Sequence, residues 1–163
     1  MLILALGIAT GCIRSADKEY GGRGEFLAVG SHIPKKLERV VYTFQGQNYV
    51  IASQQEGMTI AAVKARVVNL MSNQVTLSVD ENAVTLRSPG GVAFKPFEPK
   101  VREVETSETA PKDNPYGAHI WGQYQLKKNF EVAGWFFFEV PEDAEFIDLL
   151  WEDVETVRVI YSE

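Results

Sequence analysis

The chain has 163 residues, a formal net charge of −6, 45% hydrophobic and 11% aromatic residues, and one cysteine. That is ample apolar material for one packed domain and excludes a disordered chain, while a lone thiol excludes an intramolecular disulfide. Residues 1–66 carry eight Lys/Arg against five Asp/Glu, and residues 139–163 carry nine acids against Arg158 alone. This balance argues against nucleic acid and against a peripheral hold on anionic lipid, both of which need clustered positive charge. Lys35-Lys36 and Lys127-Lys128 read as isolated, solvated pairs.

Met1 to Gly11 reads MLILALGIATG, without a charged side chain, and Ala9-Thr10-Gly11 set small residues directly before Cys12. An apolar run closed by small residues and a cysteine resembles the lipobox of bacterial lipoproteins, in which the sulfur is diacylated and the preceding peptide removed. The resemblance implies a cleaved signal peptide over 1–11 and lipid attachment at Cys12. It further implies an extracytoplasmic protein anchored to the cell membrane or the outer membrane. The run is shorter than the roughly 20 apolar residues that span a bilayer, and two acyl chains meet the need for two anchoring signals. The residues alone also allow an ordinary first strand with Cys12 as a small buried side chain. Against that, Ser15 to Gly24 (SADKEYGGRG) is polar and rich in glycine. The expected organisation is a polar tether over 12–25 and one domain over 26–163.

The signals that follow are almost all β. Phe26–Val29 is a short strand, and Val40–Phe44 and Tyr49–Ala52 flank the turn cluster Gln45–Asn48 as a hairpin. Thr59–Leu70 (TIAAVKARVVNL) fits either the helical or the strand period. Its β-branched residues and flanking strands favour a long strand. Val75–Val79 and Val84–Arg87 alternate apolar and polar residues, and Ser88–Gly91 turns into Val92–Phe94. Residues 95–117 hold Pro96, Pro99, Pro111 and Pro115 without a sustained apolar period. They read as a long loop excursion with one edge strand at Val101–Glu105. Ala118–Trp121 and Tyr124–Leu126 regain order. Gly134–Pro141 (GWFFFEVP) is apolar on both faces, as in a central strand, and Phe146–Trp151 and Val154–Tyr161 complete the chain. Along the apolar run, Phe136 and Phe138 face one way and Trp135 and Phe137 the other. One set fills the core between sheets, and the second either lies under the long loop or forms an exposed patch.

GWFFFEVP, followed by DAEFIDLLW and a terminal alternating strand, resembles an uncharacterised immunoglobulin-like domain family of bacterial and archaeal lipoproteins. The family's strand ending in V-x-N is matched by Val67-Val68-Asn69, and Ser88-Pro89-Gly90-Gly91 stands where the family turns between strands. The resemblance covers about residues 37–161. It implies an all-β, immunoglobulin-like antiparallel β-sandwich with one long loop excursion, in an extracytoplasmic setting, and it supplies no catalytic residue.

No residue set amounts to an active site. His32 and His119 are the only histidines and have no Cys, Asp or Glu at zinc-ligand spacing, and no G-x-S-x-G elbow is present. Glu142, Asp143, Glu145, Glu152, Asp153 and Glu155 crowd the C-terminal turns but lack the spacing of a calcium loop. No metal or cofactor is expected. Trp121, Tyr116 and Tyr124 form a candidate interaction surface. The expected function is a non-catalytic accessory module that binds an envelope protein or polymer and is held to the membrane through lipidated Cys12. The alternative is an envelope hydrolase or small-ligand-binding protein with a site near His119. Oligomeric state has no signature in the sequence.

Overall fold

The computed structural model describes residues 18–71 and 73–162. The signal peptide over 1–11 and the lipid attachment at Cys12 lie outside the described residues. The elements are β1 (Glu19–Arg23), β2 (Leu27–His32), β3 (Lys35–Leu37), β4 (Arg39–Phe44), β5 (Gln47–Ala52), β6 (Met58–Asn69) and β7 (Val75–Val79). They continue as β8 (Val84–Arg87), β9 (Ala93–Phe94), α1 (Pro99–Arg102), β10 (Val104–Glu105), β11 (Gly122–Leu126), β12 (Glu131–Pro141), β13 (Asp148–Trp151) and β14 (Val157–Ile160). The fold is all-β and antiparallel, a sandwich as the resemblance implies. No described helix is long and apolar enough to cross a membrane.

The Thr59–Leu70 stretch resolves as a strand. β6 pairs with β12 from Met58↔Pro141 to Val68↔Glu131, and its other edge takes β2 (Leu27↔Asn69) and β3 (Leu37↔Ile60). Ile60, Val63, Val67 and Val68 fit a pleated surface better than a helix, where χ1 freedom is lost. Alternation then sends Val63, Ala65, Val67, Phe136 and Phe138 to one face. Ile60, Ala62, Trp135 and Phe137 go to the other.

Both faces are covered, which gives the sandwich a third layer. The first face packs on Leu77, Val84, Leu86, Leu149, Trp151 and Val159 from β7, β8, β13 and β14. The second is capped by Val40, Tyr42 and Ile51 of the β4–β5 hairpin, with Phe97 and Tyr116 of the excursion packed against them. The Trp135/Phe137 set therefore lies partly under the long loop and forms no exposed patch. Phe136, Phe137 and Phe138 are at most 2% exposed, each contributing about 1.5–3 kcal/mol by burial.

Local chemistry explains the joints. Gln45 (φ 50°) and Gly46 (φ 81°) form a two-residue turn that closes on Phe44↔Gln47, the twist-matched connection for a hairpin. Gly134 is a site of close approach: a Cβ there would lie 2.7 Å from the carbonyl oxygen of Ala118. Pro141 ends β12, since it has no N–H for the ladder. Asn69, fully buried, holds one end of the molecule together. Its Nδ2 donates to the carbonyls of Asn73 and Leu126, each at 2.8 Å, and its Oδ1 accepts the Met71 N–H at 2.8 Å.

Part of the stretch expected as a tether, 12–25, is built into the sheet. Glu19–Arg23 form β1 against β2, Tyr20 is buried at 8% exposure, and Glu19 pairs with Arg66 at 2.7 Å. The carboxylate of Glu155 accepts the N–H groups of Glu25, Phe26 and Leu27, so the C-terminal turn fixes the first corner of the chain. The edge strand expected at Val101–Glu105 is shorter than expected. Pro99 favours a first helical position, α1 takes residues 99–102, and β10 alone pairs, with Val104 opposite Val50.

Candidate functional site

The excursion 95–117 is strapped down from end to end by backbone and side-chain bonds. Phe97 N–H donates to the Phe137 carbonyl at 3.0 Å, and Thr106 N–H to that of Asn48 at 3.0 Å. The Arg102 guanidinium lies 4.1 Å from the Phe97 ring centroid, and its Nη1 is 2.7 Å from Glu139. Tyr42 donates its hydroxyl proton to Glu103, and Arg39 pairs with Glu108 at 3.1 Å. Asn114 receives the Thr43 N–H at 2.8 Å and returns a bond to the Thr43 carbonyl at 2.7 Å. The Trp135 indole N–H donates to the Pro115 carbonyl at 2.6 Å, with the Tyr116 ring 4.7 Å away.

Two electrostatic consequences follow. Burial pushes the Glu139 carboxyl up, but the Gln54 N–H, the Arg102 guanidinium and the Ser53 hydroxyl outweigh it, and the group stays ionised below the usual carboxylate range. Burial, and then its bond to Glu103, push the Tyr42 hydroxyl far above its ordinary range, so this phenol is a donor and not a nucleophile.

Between the strap and the start of β11 the surface opens into two clefts. One, of about 430 Å³, is lined by Phe44, Pro99, Lys100, Ala118, His119 and Trp121. The other, of about 360 Å³, is lined by Glu81, Phe97, Val101, Arg102 and Trp121. Glu98 and Trp121 border both, so Trp121 stands where they meet. Cations and anions are interspersed along the walls, and the rim is apolar: Phe44 is 43% exposed and Val101 76%.

The three aromatic candidates have three different places. Trp121 is in the clefts. Tyr124 sits behind it: its hydroxyl accepts the Trp121 N–H at 3.0 Å and lies 3.1 Å from the Trp121 carbonyl. That bond holds the bend at Gly122 (φ 93°). Tyr116 belongs to the cover of the second core, and its burial pushes its hydroxyl up. The structure thus brings Trp121 and Tyr124 together and leaves Tyr116 apart. Phe44, Glu98, Lys100, Val101 and Arg102 complete the walls. Their one sequence signal was Glu98-Pro99, a start for a helical turn.

His119 forms part of a wall. Its ring meets Tyr42 edge-on at 4.6 Å and Phe137 at 5.6 Å, and burial lowers its pKa, favouring the neutral imidazole. Its Nδ1 is buried without a hydrogen-bond partner. Of the C-terminal acids, Glu152, Asp153 and Glu155 are occupied elsewhere. Glu152 accepts from Thr85 and pairs with Lys95 at 3.2 Å, and Asp153 accepts the Ser78 N–H at 2.8 Å. Among the described residues no three His, Cys, Asp or Glu side chains are grouped to hold a metal ion.

No family model matches the chain, and no curated protein matches it. Among solved structures it is similar to a Bacillus subtilis protein named "putative lipoprotein (ycdA)", at 15% sequence identity and a TM-score of 0.46. The similarity covers 90% of this chain and 36% of that one, so the chain spans about a third of that protein's length.

Proposed function

We propose that this chain is a non-catalytic, lipid-anchored module of the cell envelope, attached through Cys12 outside the cytoplasm, whose Trp121 cleft receives a protein partner. The lipobox-like approach to Cys12 supports the anchor. GWFFFEVP, read from the sequence as a central strand, is the last strand of its sheet, beyond β6, and its burial on both faces supports the kinship with immunoglobulin-like lipoprotein domains. The observation that carries the binding function is Trp121 at the junction of two clefts. Its apolar rim joins Phe44, at the end of β4, to Val101 of the strap, which the neighbouring Arg102–Glu139 bond ties to β12. A tryptophan anchor amid exposed apolar residues with charges of both signs is the composition of a protein-binding hot spot.

Two experiments test the two halves. A fatty-acid analogue fed to cells should label the wild type and leave Cys12→Ala unlabelled; an unlabelled wild type overturns the anchor. A photo-crosslinking residue at position 101 should capture one discrete protein species in intact cells, and Trp121→Ala should reduce capture at least tenfold. Capture unchanged by Trp121→Ala overturns the cleft, and retention of the chain on isolated cell-wall glycan in its place moves the partner from protein to polymer.

A further inference from the structure

The second of the two clefts at Trp121 is set apart by its charge. Its walls carry Glu81, from the turn between β7 and β8, and Glu98, at the start of the strap. Both stand on fixed backbone. Asp80 Oδ1 accepts the Asn82 N–H at 2.7 Å, and the Asp80 carbonyl accepts the Ala83 N–H at 3.2 Å. On either side of Glu98, Phe97 N–H donates to the Phe137 carbonyl at 3.0 Å and Val101 N–H to the Glu98 carbonyl at 3.2 Å. Neither carboxylate has a hydrogen bond or an ion pair among the described residues, and the Glu98 side chain does not cap α1. The surroundings stay acidic when every charge is counted. Arg102, the cation of these walls, is paired with Glu139 at 2.7 Å. The depression beyond the same turn is lined by Asp80, Glu152 and Asp153, and Lys95 pairs with Glu152 at 3.2 Å. The carboxylates of Asp80 and Asp153 accept backbone N–H groups, which leaves their charge in place. Lys100 belongs to the first cleft, 5.9 Å from the Phe44 ring centroid. Even with Lys100 included, six carboxylates stand against three cations.

We infer that the second cleft takes an arginine side chain from a basic segment of the protein partner, its guanidinium on Trp121 and its N–H groups directed to Glu81 and Glu98. The inference rests on the proposed protein-binding role of the Trp121 cleft and adds the chemistry of the partner. The cleft wall already contains this arrangement once. The Arg102 guanidinium lies 4.1 Å from the Phe97 ring centroid while its Nη1 is 2.7 Å from Glu139. A ring beneath the guanidinium and a carboxylate at its edge satisfy a planar cation whose donors lie in a rigid fork. Phe97 has its cation. Trp121, the better ring for such a contact, has no cation placed over it among the described residues, and two unengaged carboxylates share its cleft. Exposed Val101 offers apolar surface to the aliphatic stem of the incoming side chain. The surplus of carboxylates around the cleft also steers a basic partner toward it and disfavours an acidic one.

The test uses the full chain in an uncharged detergent and three probes. One is a glycine–serine 15-mer carrying three arginines; the others carry citrulline or lysine in their place. Citrulline keeps the shape of arginine and loses its charge. The indole N–H resonance of Trp121, identified by its absence from Trp121→Phe, should shift on addition of the arginine peptide. The Kd should be at least fivefold lower than for the citrulline peptide and at least twofold lower than for the lysine peptide. Glu81→Gln with Glu98→Gln should weaken the arginine peptide at least fivefold and leave the citrulline peptide unchanged. Glu142→Gln with Asp143→Asn, which removes two acids outside both clefts, should change neither. An unmoved Trp121 resonance, equal binding of arginine and citrulline or of arginine and lysine, or equal weakening by the two double variants overturns the inference. The cleft itself is judged separately in cells. Capture at position 101 that requires Trp121 but is unchanged by Glu81→Gln with Glu98→Gln removes the arginine and keeps the cleft, whereas capture indifferent to Trp121→Ala removes the cleft reading.

Discussion

The two faces of β12 carry equally apolar side chains and are covered in different ways. Phe136 and Phe138 are closed in by strands whose cohesion comes from backbone ladders and a large aliphatic core. Trp135 and Phe137 are closed in by one hairpin and by a strap whose place depends on side-chain bonds: Arg102 to Glu139, Tyr42 to Glu103, Asn114 to Thr43. Non-directional burial holds the first face. Directional bonds fix the second, and the cleft is cut into the part they hold. The proposed binding surface is thereby built on the more conditional of two cores.

The largest effect should come from Phe138→Ala, which removes a fully buried ring from the first core and should cost about 3–5 kcal/mol. It should lower the urea midpoint in one cooperative transition. Phe137→Ala should instead give early loss of amide protection across residues 96–117; a single shared transition for both variants would show that the two cores unfold as one. Next is Asp148→Asn. Arg87, bidentate at 2.6–2.7 Å, and then Arg158 hold this buried carboxyl below the usual range, and losing its charge should cost about 1.5–3 kcal/mol.

The pH dependence has a definite sign. Asp148 and Glu139 have folded pKa values lowered from the ordinary carboxylate range. Their stabilisation is therefore complete above about pH 5 and is lost as pH falls through the lowered values. Urea midpoints should be flat from pH 7 to 5 and fall below about pH 4, less steeply in Asp148→Asn. Arg102→Ala should cost about 1–2 kcal/mol, read as faster exchange in 97–106 with little change elsewhere. Trp121→Ala should be smallest in stability, within about 1 kcal/mol, while abolishing partner capture.

What the sequence made legible follows from period. Alternation alone placed Phe136 and Phe138 opposite Trp135 and Phe137, and β-branched density identified β6 as a strand despite its helical alternative. The turn cluster at Gln45–Asn48 was visible as chemistry, although its two-residue form was not. β1 escaped because EYGGR has only Tyr20 to bury, and the partner of Glu19 is Arg66, 47 residues distant. The strap read as a loop for the same reason: its order resides in pairs such as Arg102–Glu139 and Asn114–Thr43, 37 and 71 residues apart. Trp121 could be singled out as an aromatic, but the walls around it come from four separated segments. No local pattern announces such a meeting.

The paired bonds between Asn114 and Thr43 bear on how copies behave when crowded. β4 is the outer strand of its sheet, and an unpaired strand edge is a template on which another chain can add. The carboxamide of Asn114 offers Thr43 one acceptor and one donor, as a neighbouring strand would, and ends the row of free groups there. Proteins confined to a surface meet side by side far more often than in solution. A one-residue counterfeit strand at this edge would let such a population stay dense without fusing into a continuous sheet.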